Sequence, residues 1–121
     1  MGKHILIVDD SESIREVISF ILENAGHEID QAIDGMDALK YLDGSLYDLI
    51  ITDLHMPNMN GLELIKEIRL LDKYRFIPIL FLTTESQTVK KMEAKKAGAT
   101  GWLIKPFAPE KLLIAVNKVT R

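Results

Sequence analysis

The chain has 121 residues, 47% of them apolar and 27% charged, with a formal net charge of -3 and no cysteine. That size suits one domain, 1–121, able to bury a core without staples. The mild acidity excludes the basic excess expected of a nucleic-acid-binding domain, and the missing cysteines exclude disulfides, thiolate nucleophiles and Cys-ligated metal.

The first element is Ile5 to Val8, an unbroken apolar run that reads as a strand covered on both faces. It is too short for a signal-peptide core, and Asp9 and Asp10 follow at once. Leu6 also stands where a myristoylation signal needs Ser or Thr. A helix follows, with Ile14, Val17, Ile18, Ile21, Leu22 and Ala25 at helical spacing. Ser11 or Ser13 is placed to cap it, and Gly26 lies past its end. His27 to Ala32 reads as the second strand, with His27 at its start as His4 is at the start of the first. Ala38, Leu39 and Leu42 mark a short second helix.

Leu49 to Thr52 is the third strand and runs into Asp53. Leu62, Leu64, Ile65, Ile68 and Leu71 form the stripe of a third helix. Ile77 to Leu82 is the fourth strand, leading to Thr83 and Thr84. The fourth helix begins near Ser86 and stops before Gly98; its thin apolar face is Val89, Met92 and Ala97, crowded by Lys90, Lys91, Lys95 and Lys96. Gly101 to Ile104 is the fifth strand, followed by Lys105-Pro106. Leu112, Leu113, Val116 and Val119 mark the last helix, with Pro109 in its first turn. No run is long enough to span a membrane, and a cytoplasmic location is expected.

Strict alternation of strand and helix implies a doubly wound α/β fold: a five-stranded parallel sheet, right-handed crossovers and five helices on its two faces. In such sheets ligands bind beyond the carboxyl ends of the strands. Asp9, Asp10, Asp53, Thr83 and Lys105 all fall there. Taken singly, each is an ordinary loop, cap or surface residue. Taken together they are the parts for phosphoryl transfer to a carboxylate. Crowded carboxylates repel one another, and a hard divalent cation such as Mg²⁺ relieves the repulsion. Aspartate serves as the nucleophile. A hydroxyl and an ammonium then take up the phosphoryl oxygens.

Longer stretches carry a family resemblance. They are Ile7-Val8-Asp9-Asp10, the run Asp53-Leu54-His55-Met56-Pro57-Asn58-Met59-Asn60-Gly61, Pro78 to Thr83, and Gly98 to Phe107. Across nearly its whole length the chain resembles response-regulator receiver domains of the stand-alone chemotaxis type. The resemblance implies the flavodoxin-like strand order 2-1-3-4-5 and a two-component signalling switch. In that switch a histidine kinase donates a phosphoryl group to Asp53. Asp10, Asp53 and the backbone carbonyl of His55 would hold Mg²⁺ directly, and Asp9 through a water. Thr83 and Lys105 would sense the phosphoryl group. Trp102 would be the switch aromatic, and it is larger than the Tyr or Phe usual there. The Lys105-Pro106 peptide would be cis, and Pro57 and Gly61 would shape the loop after Asp53. His55, Glu85 and Thr84 would tune hydrolysis of the acyl phosphate, Thr84 replacing a smaller usual residue. A downstream protein would bind the face of the fourth helix, fifth strand and fifth helix, at Lys91, Lys95, Trp102 and Ile104. The chain is expected to be a monomer whose output is a binding event, not an enzyme in the wider sense.

Two other functions fit the fold class less well. An FMN-binding electron carrier needs a Ser/Thr/Gly-rich phosphate loop after the first strand, where this chain has Asp9-Asp10. A phosphatase with an aspartyl nucleophile carries that residue early in its chain and usually needs a cap.

Overall fold

The computed structural model describes residues 2–121. Its strands are β1 (His4–Val8), β2 (Glu28–Ala32), β3 (Leu49–Thr52), β4 (Ile79–Thr83) and β5 (Gly101–Ile104). Its helices are α1 (Glu12–Asn24), α2 (Gly35–Tyr41), α3 (Gly61–Leu70), α4 (Thr88–Ala97) and α5 (Pro109–Thr120). All strand pairs are parallel, in the order β2-β1-β3-β4-β5. Fold class and strand order are as expected.

Strand side chains alternate between two cores. Leu6, Val8, Ile50, Ile79 and Phe81 pack on one face against Ala38, Leu64, Ile65, Ile68 and Ala94 from α2, α3 and α4. Ile5, Ile7, Leu49, Ile51, Leu80 and Leu82 pack on the other against Ile18, Leu22, Leu112 and Val116 from α1 and α5. Because both faces are covered, the central strands read as continuous apolar runs rather than alternating ones.

Several local expectations shift. The strand expected to begin at His27 begins at Glu28 and buries only Ala32, because β2 is an edge strand. The His27 ring is instead an acceptor for the Lys3 backbone N–H at 3.0 Å. The fourth strand begins two residues later than expected and reaches Thr83. Ser11, not Ser13, caps α1, accepting from the Ile14 amide. A single 3-10 turn, Asp72–Tyr74, has no counterpart among the elements expected from the sequence. The largest correction concerns α4. Val89 and Met92 are 66% and 60% exposed, and Ala94 is the residue buried. The helix is rotated so that small alanines meet the tightly packed α3 side.

The start of β1 holds a charged cluster. His4 Nδ1 lies 2.7 Å from the Leu46 carbonyl oxygen and Nε2 lies 2.9 Å from an Asp30 carboxylate oxygen. The Tyr47 hydroxyl donates to the same Asp30 oxygen, and its ring stacks on the imidazole at 4.3 Å. Both ring nitrogens therefore face groups that only accept, which favours the imidazolium. Burial opposes that charge, but the Leu46 carbonyl, Asp30 and Glu28 outweigh it, and the pKa is raised. A raised His pKa contributes stability that is complete below the unfolded value of about 6.5 and is lost as pH rises through the folded value. Urea unfolding of the wild type from pH 5.5 to 9 is expected to show that loss, and His4→Gln to remove it. Parallel pH profiles for the two proteins would contradict the assignment.

Candidate functional site

Parallel register decides which residues meet. Val8 is paired with Thr52, so Asp9 and Asp53 leave neighbouring strands side by side. The Asp53 amide donates to the Val8 carbonyl at 3.0 Å, which extends that register by one residue. Thr83 is paired with Ile104, and the Lys105 amide donates to the Thr83 carbonyl at 2.9 Å. Four strand ends thus deliver Asp9, Asp10, Asp53, Thr83 and Lys105 to one edge.

Carboxylate oxygens of Asp9, Asp10 and Asp53 lie within 4.8 Å of one another. Asp9 is buried, Asp53 half-buried and Asp10 exposed. Lys105 Nζ donates to Asp9 Oδ2 at 2.9 Å and to Asp53 Oδ2 at 3.1 Å. Burial works against the ammonium, but Asp9 and Asp53 more than compensate, and the Lys105 pKa is raised. It stays charged throughout the physiological range. One ammonium against three carboxylates still leaves excess negative charge, and all three donors are hard oxygens. That donor set fits Mg²⁺.

Asp53 is fixed further by its own loop. Its Oδ1 accepts the Leu54 amide at 2.6 Å. The Thr83 hydroxyl, fully buried, accepts from the Glu85 amide at 3.2 Å and is not bonded to Asp53. Trp102 is paired with Phe81 across β4 and β5, the ring centroids 5.6 Å apart. Its indole Nε1 is buried without a hydrogen-bond partner among the described residues. Beside it lies a groove of about 320 Å³ whose lining includes Lys91, Met92 and Lys95. His55 Nε2 and Glu85 Oε1 are 3.0 Å apart and bridge the lip of the site. Hydrogen bonds from His55 and the Gln87 amide hold the Glu85 carboxyl below its ordinary pKa. Thr84 is exposed and lines an apolar groove with Ile14, Pro106 and Phe107. The Lys105-Pro106 peptide is cis.

One neighbour went unread in the sequence. Arg15 of α1 donates to the Asp9 carbonyl at 2.7 Å and to Gln31 at 3.2 Å. A charged residue beside Ile14 on an amphipathic helix looks solvated, and nothing local betrays its turn toward the site.

Residues 5–117 match the family described as response regulator receiver domain. The chain belongs to that family. Its members are phosphorylation-activated switches of two-component signalling that bind Mg²⁺ at an acidic pocket, take their phosphoryl group from a histidine kinase and act on a downstream target. This receiver domain is therefore a signalling protein of that kind, and neither the FMN carrier nor the phosphatase is favoured.

The receiver is similar to the chemotaxis response regulator CheY4 of Vibrio cholerae, with 47% identity, a TM-score of 0.93, and coverage of 98% of this chain and 99% of that one. It is 38% identical over 117 residues to the transcriptional regulatory protein DltR of Streptococcus agalactiae. That match covers 97% of this chain, which spans 51% of DltR's length. A further similar structure is the receiver domain of the sensor histidine kinase PA1611 from Pseudomonas aeruginosa PAO1, which has a magnesium ion coordinated in its active-site cleft. It is 28% identical with a TM-score of 0.90, and the match covers 99% of this chain and 98% of that one. No helix among the described residues is long and apolar enough to cross a membrane.

Proposed function

We propose that Asp53 is the phosphoacceptor and that the chain catalyses its own phosphorylation and dephosphorylation. The observation that carries this reading is Lys105 Nζ bridging Asp9 and Asp53 at 2.9 and 3.1 Å, inside a cluster completed by Asp10. Asp10, Asp53 and the His55 carbonyl would hold Mg²⁺, with Asp9 acting through water. Bound there, the ion would supply charge compensation for the incoming phosphoryl group. An Asp53 carboxylate oxygen forms a bond to phosphorus as the phosphorus–nitrogen bond of phosphohistidine breaks, and the leaving imidazole takes up a proton. Lys105 pairs with a phosphoryl oxygen as a point charge. Thr83 turns its hydroxyl from the Glu85 amide to another, which opens space beside Phe81 and Trp102. Phosphorylation thereby biases a pre-existing equilibrium.

The surface that reads this change is the α4-β5-α5 face at Lys91, Lys95, Trp102 and Ile104. Two lysines beside an apolar groove suit an acidic or amphipathic partner peptide. Likeness to CheY4 favours chemotaxis as the pathway, and the acting form proposed is a cytoplasmic monomer.

The His55–Glu85 bridge, together with Thr84 in its neighbouring groove, controls access of water to the acyl phosphate and so its lifetime. One experiment tests both parts. Trp102 fluorescence is followed while Mg²⁺ and then a small phosphodonor are added, and the decay is timed after the donor is removed. The wild type is expected to respond and to decay, and the His55→Ala, Glu85→Ala double variant to decay at a different rate. A silent Trp102 would count against its switch role, and identical decay rates against the bridge.

A further inference from the structure

The segment 54–60 joins Asp53 to α3 and carries two groups the site needs, the Leu54 amide on Asp53 and the His55 carbonyl. Gly61 closes its base, donating its amide to the Leu54 carbonyl at 2.8 Å. His55 ties one flank to Glu85. The other flank is tied to the opposite side of the sheet edge. Asn58 Nδ2 donates to Asp34 Oδ2 at 2.8 Å. The Met59 side chain also packs so closely on Gly35 that a Cβ there would lie 2.8 Å from Met59 Cβ.

Two features set this contact apart from incidental loop packing. Asn58 has φ 68°, a left-handed conformation that non-glycine residues adopt at a cost of order 1 kcal/mol. Adopting it aims the side-chain amide at Asp34. Asp34 is a carboxylate only 7% exposed that the phosphoryl chemistry does not use. Its other oxygen caps α2 by accepting the Asp37 amide at 2.8 Å, so the acceptor is itself held rigid by a helix terminus. The Asp37 amide and then Asn58 hold its carboxyl below the ordinary pKa, so it is ionised and a strong acceptor.

We propose that Asn58 and Asp34 are positioning residues for the cation site, their bond holding segment 54–60 so that the His55 carbonyl points at the ion gathered by Asp9, Asp10 and Asp53. The proposal rests on the reading that this cluster binds Mg²⁺. Metal sites depend on such outer contacts, whose loss typically weakens affinity ten- to a hundredfold.

The test is calorimetric titration of Mg²⁺ alone into the full chain. Asn58→Gly keeps the left-handed backbone at no steric cost and deletes only the amide. Asp34→Ser keeps a good helix cap but is too short to reach Asn58. Each is expected to weaken Mg²⁺ binding about tenfold, and the double variant no more than either alone, because both break one contact. Metal-free urea unfolding of Asn58→Gly is expected to match the wild type, while amide exchange at His55 and Met56 quickens. Unchanged Mg²⁺ affinity in both single variants, or fully additive losses in the double variant, overturns the positioning role and leaves the metal reading standing. A wild type that binds no Mg²⁺ overturns the metal reading and the proposal with it.

Discussion

Lys105→Met is expected to lower unfolding stability in metal-free buffer by about 3 kcal/mol and to enlarge the stabilisation that Mg²⁺ provides. Lys105 sits between two carboxylates in a site where its side chain is 12% exposed, Asp9's 4% and Asp53's 14%. Removing the cation from a buried pair leaves uncompensated charge, a far larger loss than deleting a surface ion pair. Met keeps a long, unbranched side chain, so packing changes little and charge dominates. With the ammonium gone, Asp9, Asp10 and Asp53 repel without relief, and a divalent cation has no competitor for them. Stabilisation by a ligand grows with its affinity for the folded state, so added Mg²⁺ restores more in the variant than in the wild type. Urea unfolding with EDTA and with saturating Mg²⁺ checks both. Equal metal-free stability, or a smaller Mg²⁺ response in the variant, would contradict the assigned role of Lys105.

Gly61→Ala is expected to cost about 3 kcal/mol and to impair phosphoryl acceptance at the same time. A Cβ on Gly61 would lie 2.2 Å from the Asp53 carbonyl oxygen, 2.6 Å from the Phe81 ring and 3.0 Å from Leu54 Cα. None of these neighbours is a flexible side-chain tip. Two are backbone, and Phe81 is fully buried in the core. Ala is the better helix former by about 1 kcal/mol, but that gain is smaller than the strain of moving the Asp53 backbone or the start of α3. The start of α3 is itself pinned, because Asn60 and Glu63 form a reciprocal capping box. The displacement therefore falls on the segment that aims Asp53. Gly26→Ala is the useful contrast. Gly26 has φ 95°, but a Cβ there would meet nothing within 4 Å, so its penalty is conformational only and phosphorylation should be untouched. Denaturant unfolding and phosphoryl incorporation, measured on both variants, separate the two effects. Full stability in Gly61→Ala would mean that the close approach to Asp53 is not required.

What was legible in the sequence followed from periodicity. Continuous apolar runs marked β1, β3 and β4, and their alternation with helical stripes implied the parallel sheet. The rule for strand ends then singled out Asp9, Asp10, Asp53, Thr83 and Lys105, and the ion contacts of Lys105 agree. What was not legible depends on rotation or on distance along the chain. The apolar stripe expected on α4 runs through its large residues, Val89 and Met92, whereas the structure buries Ala94, since close helix packing selects small side chains. Thr83 stands at the expected strand end, but its hydroxyl is bonded to the Glu85 amide, a rotamer choice that no sequence pattern encodes. His4 looked like a strand start only, because Asp30, Leu46 and Tyr47 reach it from two other segments. Asn58 and Asp34 are 24 residues apart, and their contact exists only once α2 and the loop after β3 are side by side.

Whether Asp53 accepts a phosphoryl group is decided by intact-mass measurement after incubation with Mg²⁺ and a small phosphodonor. The wild type is expected to gain the mass of a single phosphoryl group, and Asp53→Asn to gain none while remaining folded. A phosphoryl gain that persists in Asp53→Asn would place the acceptor on another residue and rule out Asp53.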